Sequence, residues 1–265
     1  MNVKRLRASG VIDDFASVGR YHFTTAEMRE ALGVSSAATR LALGRLAKKG
    51  LVASPSRGFY VIVPPEYRRV GCLPPAQFVP QLMERQKRLY YVALLSAAQY
   101  HGAAHHRPQV FQVAVAGSHR SISCGAVRVS FISRTRIAEV PVKSLNTPRG
   151  TILISSVEAT AIDLVGYARR AAGWDNVATV LCELAEEIDP DLLCEAARTA
   201  PVTWAQRLGY LLELVGAADK ALPLKDYVRR NARDATPLIP YAAVDRARRA
   251  DDWRLLVNAE VESEV

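Results

Sequence analysis

The chain has 265 residues, 49% hydrophobic and 23% charged, which supplies a buried core and argues against disorder; its length favours a small module joined to a larger one. No run approaches the roughly 18 apolar residues of a membrane-spanning helix. The opening MNVKRLRASGVIDDF lacks the apolar core of a secretory signal, so the expected location is the cytoplasm.

The formal net charge of +9 is unevenly distributed, since residues 1–70 hold 12 Lys and Arg against 5 Asp and Glu while the remainder is nearly balanced. A basic module on a nearly neutral body fits a nucleic-acid footprint confined to the first part, because neutralising phosphates takes cations concentrated on one surface. Cys72, Cys124, Cys182 and Cys194 include no C-x-x-C pair and no zinc-like spacing with His, so they are expected to be reduced, mostly buried thiols.

In chain order, YHF at 21–23 alternates like a short strand. Thr24 and Glu27 then have the spacing of a capping box, which predicts a helix ending at Gly33, where positive φ is tolerated. Ser35 is the predicted N-cap of a second helix running to Lys49 and stopping at Gly50. Two helices across a turn of about three residues match a helix-turn-helix. In the second helix, Thr39, Ala42, Leu43, Leu46 and Ala47 fall on one predicted buried stripe.

The opposite face carries Ser36, Ala37, Arg40, Leu41, Gly44 and Lys48. Small polar residues at its start let a helix approach base edges, and the helix dipole there favours phosphate. The predicted DNA-reading set is therefore Ser35, Ser36, Ala37, Arg40, Leu41, Gly44, Lys48 and Lys49, although a Lys pair at a helix C-terminus also suits the dipole. Leu41 either touches a thymine methyl or packs against a partner. After Gly50, LVASPSRGFYVIVPP reads as strand, turn and strand, a wing with Arg57 at its tip. Arg57 reaches a phosphate or the minor groove, or is a solvated turn residue.

Pro64-Pro65 and Pro74-Pro75 bracket a connector, which sets an expected boundary near residue 70: a winged helix-turn-helix over 1–70 and a larger domain over 71–265. In the latter, AQFVPQLMERQKR reads as helical, and YYVALLSAAQYHGAA as a buried helix. VFQVAV, VRVSFIS and short runs near Val140 and Ile152 read as strands of an antiparallel or mixed sheet. Ser155 and Glu158 form a possible capping box before helices near 174–188, 190–199 and 201–215, and WRLLVNAEV reads as a returning strand. The fold class is α+β, with a C-terminal helical bundle.

His101, His105 and His106 are the most chemical-looking cluster, since an i, i+4 His pair can chelate a metal, but Gly102 interrupts the helix and no acidic or Cys ligand lies in that segment. Glu158 and Asp163 fit a helix N-terminus and a structural hydrogen bond better than paired acid-base chemistry. With no phosphate-binding loop, dinucleotide fingerprint or nucleophile elbow in the sequence, no enzymatic activity, metal or cofactor is expected.

TTAEMREALGVSSAATRLALGRLAKKGLV and RGFYVIVPPEY, followed by YYVALLSAAQYHGAAHHRPQVFQV, SSVEATAIDLV and WRLLVNAEVE, resemble the AbiEi family, antitoxin and autorepressor components of bacterial abortive-infection operons. The resemblance implies a winged helix binding inverted repeats in its own promoter through Arg40, Lys48 and Arg57. It also implies a nucleotidyltransferase-like toxin as functional partner, countered without a stable complex. A winged-helix protein-interaction module, or a general regulator without antitoxin activity, is the alternative.

Overall fold

The computed structural model describes residues 7–103 and 108–263. It opens on helix α1 (Ala8–Ser17), strand β1 (His22–Thr24), helices α2 (Thr25–Leu32) and α3 (Ser36–Lys48), and the hairpin β2 (Val52–Ser56) and β3 (Phe59–Ile62). The three strands form an antiparallel sheet in the order β1-β3-β2. Thr24 caps α2 as its spacing predicts: the Glu27 amide donates to Thr24 Oγ1 at 3.2 Å and the Thr24 amide to Glu27 Oε2 at 2.7 Å. Gly33 ends α2 in the left-handed region at φ 62°, and Ser35 caps α3 by accepting from the Ala38 amide. α1 lies outside the elements read from the sequence.

β3 is apolar without interruption because it is buried on both faces. Ile62 joins Val11, Ile12, Phe23, Met28, Leu43 and Leu46 in a core beneath the three helices. Phe59 and Val61, on the alternate face, join Leu73, Phe78, Leu82 and Met83 in a second core that continues into the larger part of the chain. Around this contact, the Arg149 guanidinium sits 3.3 Å over the Tyr21 ring and its Nε donates to Gln77 Oε1. Arg85 lies over Phe59 and donates to the Arg57 carbonyl.

The larger part comprises helix α4 (Val79–Arg85), strand β4 (Tyr90–Val92), helix α5 (Leu94–Tyr100), strands β5 (Phe111–Val115), β6 (Ile122–Cys124), β7 (Val127–Ser133), β8 (Val142–Thr147) and β9 (Gly150–Ser155), and helices α6 (Val157–Gly166), α7 (Trp174–Leu184), α8 (Pro190–Arg198), α9 (Val202–Leu214) and α10 (Leu222–Asn231). It closes on β10 (Thr236–Pro237), β11 (Arg248–Ala250) and β12 (Leu255–Val257), a small sheet in the order β10-β12-β11. The six-stranded sheet runs β6-β7-β5-β4-β9-β8. It is mixed: β4 pairs parallel with β9 and antiparallel with β5, while β5 pairs parallel with β7. The architecture is α+β.

Three readings change. YYV is a central strand rather than the start of a helix, because an apolar run buried on both faces carries no period to separate the two. The α6 cap is Ser156, which accepts from the Ala159 amide; Glu158 instead accepts from the Asp189 amide at 3.3 Å. Asp163 stands in the second half of α6 rather than at its N-terminus. α10, whose sequence LPLKDYVRRN is largely polar, has no counterpart in the predicted elements.

Asp163, only 1% exposed, centres a buried polar joint between sheet and bundle. It accepts from Tyr91 Oη at 2.6 Å and from Arg134 Nε at 2.9 Å. Arg134 also donates to the Thr199 carbonyl at 2.9 Å and Thr199 Oγ1 at 3.1 Å, and stacks on Trp204. Burial pushes the Asp163 carboxyl up, and the guanidinium and phenol hold it down. Asp163→Asn strands the buried guanidinium and is expected to cost about 3–5 kcal/mol, against about 1 kcal/mol for Tyr91→Phe; urea denaturation midpoints of the two variants check this ordering.

Candidate nucleic-acid interface

α3 exists because Ser35 caps its N-terminus and Thr39, Leu43 and Leu46 anchor one stripe in the core. Thr39 also returns its hydroxyl to the Ser35 carbonyl at 3.0 Å, which lets a polar side chain sit fully buried. With that stripe inward, the rest of the helix faces solvent. Ser35, Ser36, Ala37, Arg40, Leu41, Gly44, Lys48 and Lys49 are all exposed, and Leu41, 64% exposed, stands near the middle of the outward face.

Ala47, predicted within the buried stripe, is exposed, and Ala42 is half-buried. Both lie at the edges of the stripe, where a methyl side chain is too short to reach the core. Arg45, absent from the predicted set, is exposed on the same outward arc. The sequence carried a signal for it, since Arg45 follows Leu41 by four residues and such pairs share a helix face. Arg45 and Lys49 also line a shallow groove between α3 and α1, where Arg7 joins them. Arg29, in the last turn of α2, donates to Ser36 Oγ at 3.4 Å, adding a cation beside the start of α3. The first turn of α3 contains no acidic residue, so no side-chain carboxylate of that turn competes for an anion at the positive end of the helix dipole.

Arg57 is exposed at the turn between β2 and β3. Its carbonyl is held by Arg85, and Gly58 takes φ 71° while its carbonyl accepts from the Thr25 amide at 3.2 Å. The hairpin tip is thus fixed at one side to α4 and at the other to the start of α2, with only the Arg57 side chain left outward. No helix among the described residues is long and apolar enough to cross a membrane.

His105 and His106 lie outside the described residues. His101, half-buried at the end of α5, places Nε2 2.8 Å from the Ser155 carbonyl, tying α5 to the end of β9. Among the described residues no three His, Cys, Asp or Glu side chains converge as metal ligands. Burial depresses the His101 pKa despite the carbonyl contact, which keeps the imidazole neutral with Nε2–H as donor. His22, stacked on Phe59 at 6.0 Å, is depressed by burial and by Arg20.

A mixed sheet backed by helices around a buried Arg-Asp pair, carrying a helix with a basic outward face at its N-terminal side, defines the arrangement. Residues 91–214 match the family described as the AbiEi antitoxin C-terminal domain, which includes Tyr91, His101, Arg134, Asp163 and Thr199. That match supports an AbiEi family antitoxin. The chain is similar in fold to the crystal structure of the RV2827C protein from Mycobacterium tuberculosis, at a TM-score of 0.69 and 17% identity, over 94% of this chain and 90% of that one. No curated protein matches the chain.

Both depressed histidines bind protons more weakly folded than unfolded, so the stability they contribute is present above the ordinary His range and lost as pH falls through it. Thermal melts between pH 8 and pH 5 are expected to show a falling Tm, and His101→Gln should flatten part of that fall; an identical pH profile in the variant counts against the assignment.

Proposed function

We propose that residues 1–70 form a winged helix-turn-helix module that binds double-stranded DNA, and that residues 71–265 form the antitoxin domain. In this reading the chain is the autorepressor and antitoxin of an abortive-infection toxin-antitoxin operon, acting in the cytoplasm against a nucleotidyltransferase-like toxin without a stable complex. The observation that carries the DNA half is the outward face of α3, free of its own core and bearing Arg40, Arg45, Lys48 and Lys49 in solvent. Lys48 and Lys49 extend the cationic surface at the far end of α3, and Ser36, Ala37 and Gly44 keep the approach to base edges unobstructed. Arg57 supplies a contact from the wing. Two copies on an inverted repeat would set their recognition helices about 34 Å apart, one turn of DNA.

Leu41 favours a second reading. An exposed leucine in the middle of an otherwise polar face suits a protein partner as well as a thymine methyl. Mobility shifts on the upstream DNA over a salt series separate the two. DNA binding weakens steeply with salt through counterion release, and Arg40→Ala with Lys48→Ala is expected to reduce the slope of log affinity against log salt by about 2 and to weaken binding about tenfold or more. Leu41→Ala is expected to change sequence preference and leave the slope intact. Binding that is absent, or insensitive to salt, removes the DNA reading.

The antitoxin half rests on the family match over residues 91–214. Co-expression with a nucleotidyltransferase-like toxin encoded beside this gene should restore growth, and should still do so in the Arg40→Ala, Lys48→Ala variant when both genes are driven from a foreign promoter. Failure of the unaltered chain to rescue growth rejects this half.

A further inference from the structure

The segment leaving β3 runs back along the β6–β7 turn in antiparallel fashion. The Ala126 amide donates to the Val70 carbonyl at 2.8 Å. At the next position inward Gly71 and Gly125 touch backbone to backbone: a Cβ on Gly125 would lie 2.2 Å from the Val70 carbonyl and 2.9 Å from the Gly71 Cα. Continuing that register sets Cys72 opposite Cys124. Residues directly opposite in antiparallel chains have Cα atoms about 4.5–5.5 Å apart, inside the window of about 4.4–6.8 Å that a disulfide requires.

Both thiols are free, and both belong to the apolar core that receives Phe59 and Val61. Cys72 is 0% exposed and Cys124, on the outermost strand of the six-stranded sheet, is 7% exposed. Their sulfurs lie close enough to act on each other. Contact with Cys124, followed by burial, pushes the Cys72 thiol up. The same contact, assisted by the Ser54 backbone of β2, lowers Cys124. The attacking sulfur and the resolving sulfur are therefore distinguished by position: Cys124 is the nearer to solvent, and Cys72 stands behind it.

We propose that Cys72 and Cys124 are a redox modification site at which hydrogen peroxide is reduced and a disulfide forms, stapling the connector after β3 to the edge of the larger sheet. The Cys124 thiolate attacks one peroxide oxygen and the O–O bond breaks, giving Cys124 sulfenic acid and hydroxide, which takes up a proton as water. The Cys72 sulfur then attacks the sulfenic sulfur, its proton leaves with the hydroxyl as a second water, and the S–S bond closes. Each sulfur gives up one electron and the peroxide takes both. The two residues lie 52 positions apart in the sequence, so the bond closes a long loop and restricts the unfolded chain strongly. This site does not depend on the DNA-binding reading.

The test exposes the full, fully reduced chain to hydrogen peroxide and maps its peptides without reduction. Expected are a Cys72–Cys124 cross-link with the loss of two hydrogens, its reversal by dithiothreitol, and a Tm higher by about 5 °C or more in the cross-linked form. In Cys72→Ser, Cys124 should stop at the sulfenic acid and be trapped by dimedone. In Cys182→Ser, which removes the half-buried thiol of α7, the cross-link should persist; this variant and the unaltered chain decide the matter if Cys72→Ser does not fold. Consumption of Cys182 with Cys124 intact overturns the proposal, as does oxidation of Cys124 to sulfinic acid without a cross-link to Cys72.

Discussion

The burial of β3 on both faces is the constraint on which the arrangement rests. Ile62 belongs to the core under α1, α2 and α3, while Phe59 and Val61 belong to the core shared with α4, β5 and β7. A strand four residues long thereby joins two hydrophobic cores without a solvated hinge between them. Apolar contact of this kind resists separation because pulling the parts apart exposes large side chains to water. Arg149 on Tyr21 and Arg85 at the β2–β3 turn reinforce it with polar contacts at the margin. The orientation of α3 is consequently set from the far side of the sheet, by residues nowhere near its outward face.

A second joint works in the opposite currency, with polar groups inside the fold. Tyr91 in β4, Arg134 just after β7, Asp163 in α6 and Thr199 just after α8 satisfy one another in near-complete burial. Close by, His101 meets the Ser155 carbonyl and Ser155 hydrogen-bonds Thr160 at 2.7 Å. The segments YYVALLSAAQYHG and SSVEATAIDLV, which carry the family resemblance, therefore meet at the seam where sheet and bundle join. A buried ion pair is geometrically demanding, since each lone pair and proton needs a partner, and that demand gives these segments a structural reason to look as they do. The polar residues that seemed candidates for chemistry are here employed in holding helices to strands.

The two joints leave the charged surface of the N-terminal part uncommitted. Among the described residues, Arg40, Arg45, Lys48 and Lys49 make none of the ion pairs that knit other parts of the surface, such as Lys225 with Glu213 and Asp252. Their placement on one helix, next to an N-terminus without a carboxylate in its first turn, concentrates positive potential where the core stripe cannot reach. The more balanced remainder of the chain turns some arginines inward or into local pairs, as with Arg134, Arg136 and Arg207, and leaves others such as Arg120, Arg230 and Arg246 exposed where acidic residues nearly equal basic ones. Charge asymmetry visible along the sequence thus becomes asymmetry of surface.

What the sequence determined by itself is local. Thr24 with Glu27, Gly33 and Ser35 specify the ends of α2 and α3, because caps and left-handed turns depend on groups within a few residues, and the spacing of Leu43 and Leu46 specifies which side of α3 faces out. Tertiary structure decided the rest. YYV became a strand because β5 and β9 flank it, and Ser156 rather than Ser155 capped α6 because Ser155 was already engaged with Val92 and Thr160. Arg134 found Asp163 across 29 residues, and Cys72 came to face Cys124 through a backbone register that only two touching glycines allow. Such pairings are set by how the chain closes on itself in space, and the order of residues along it carries no short-range signal for them.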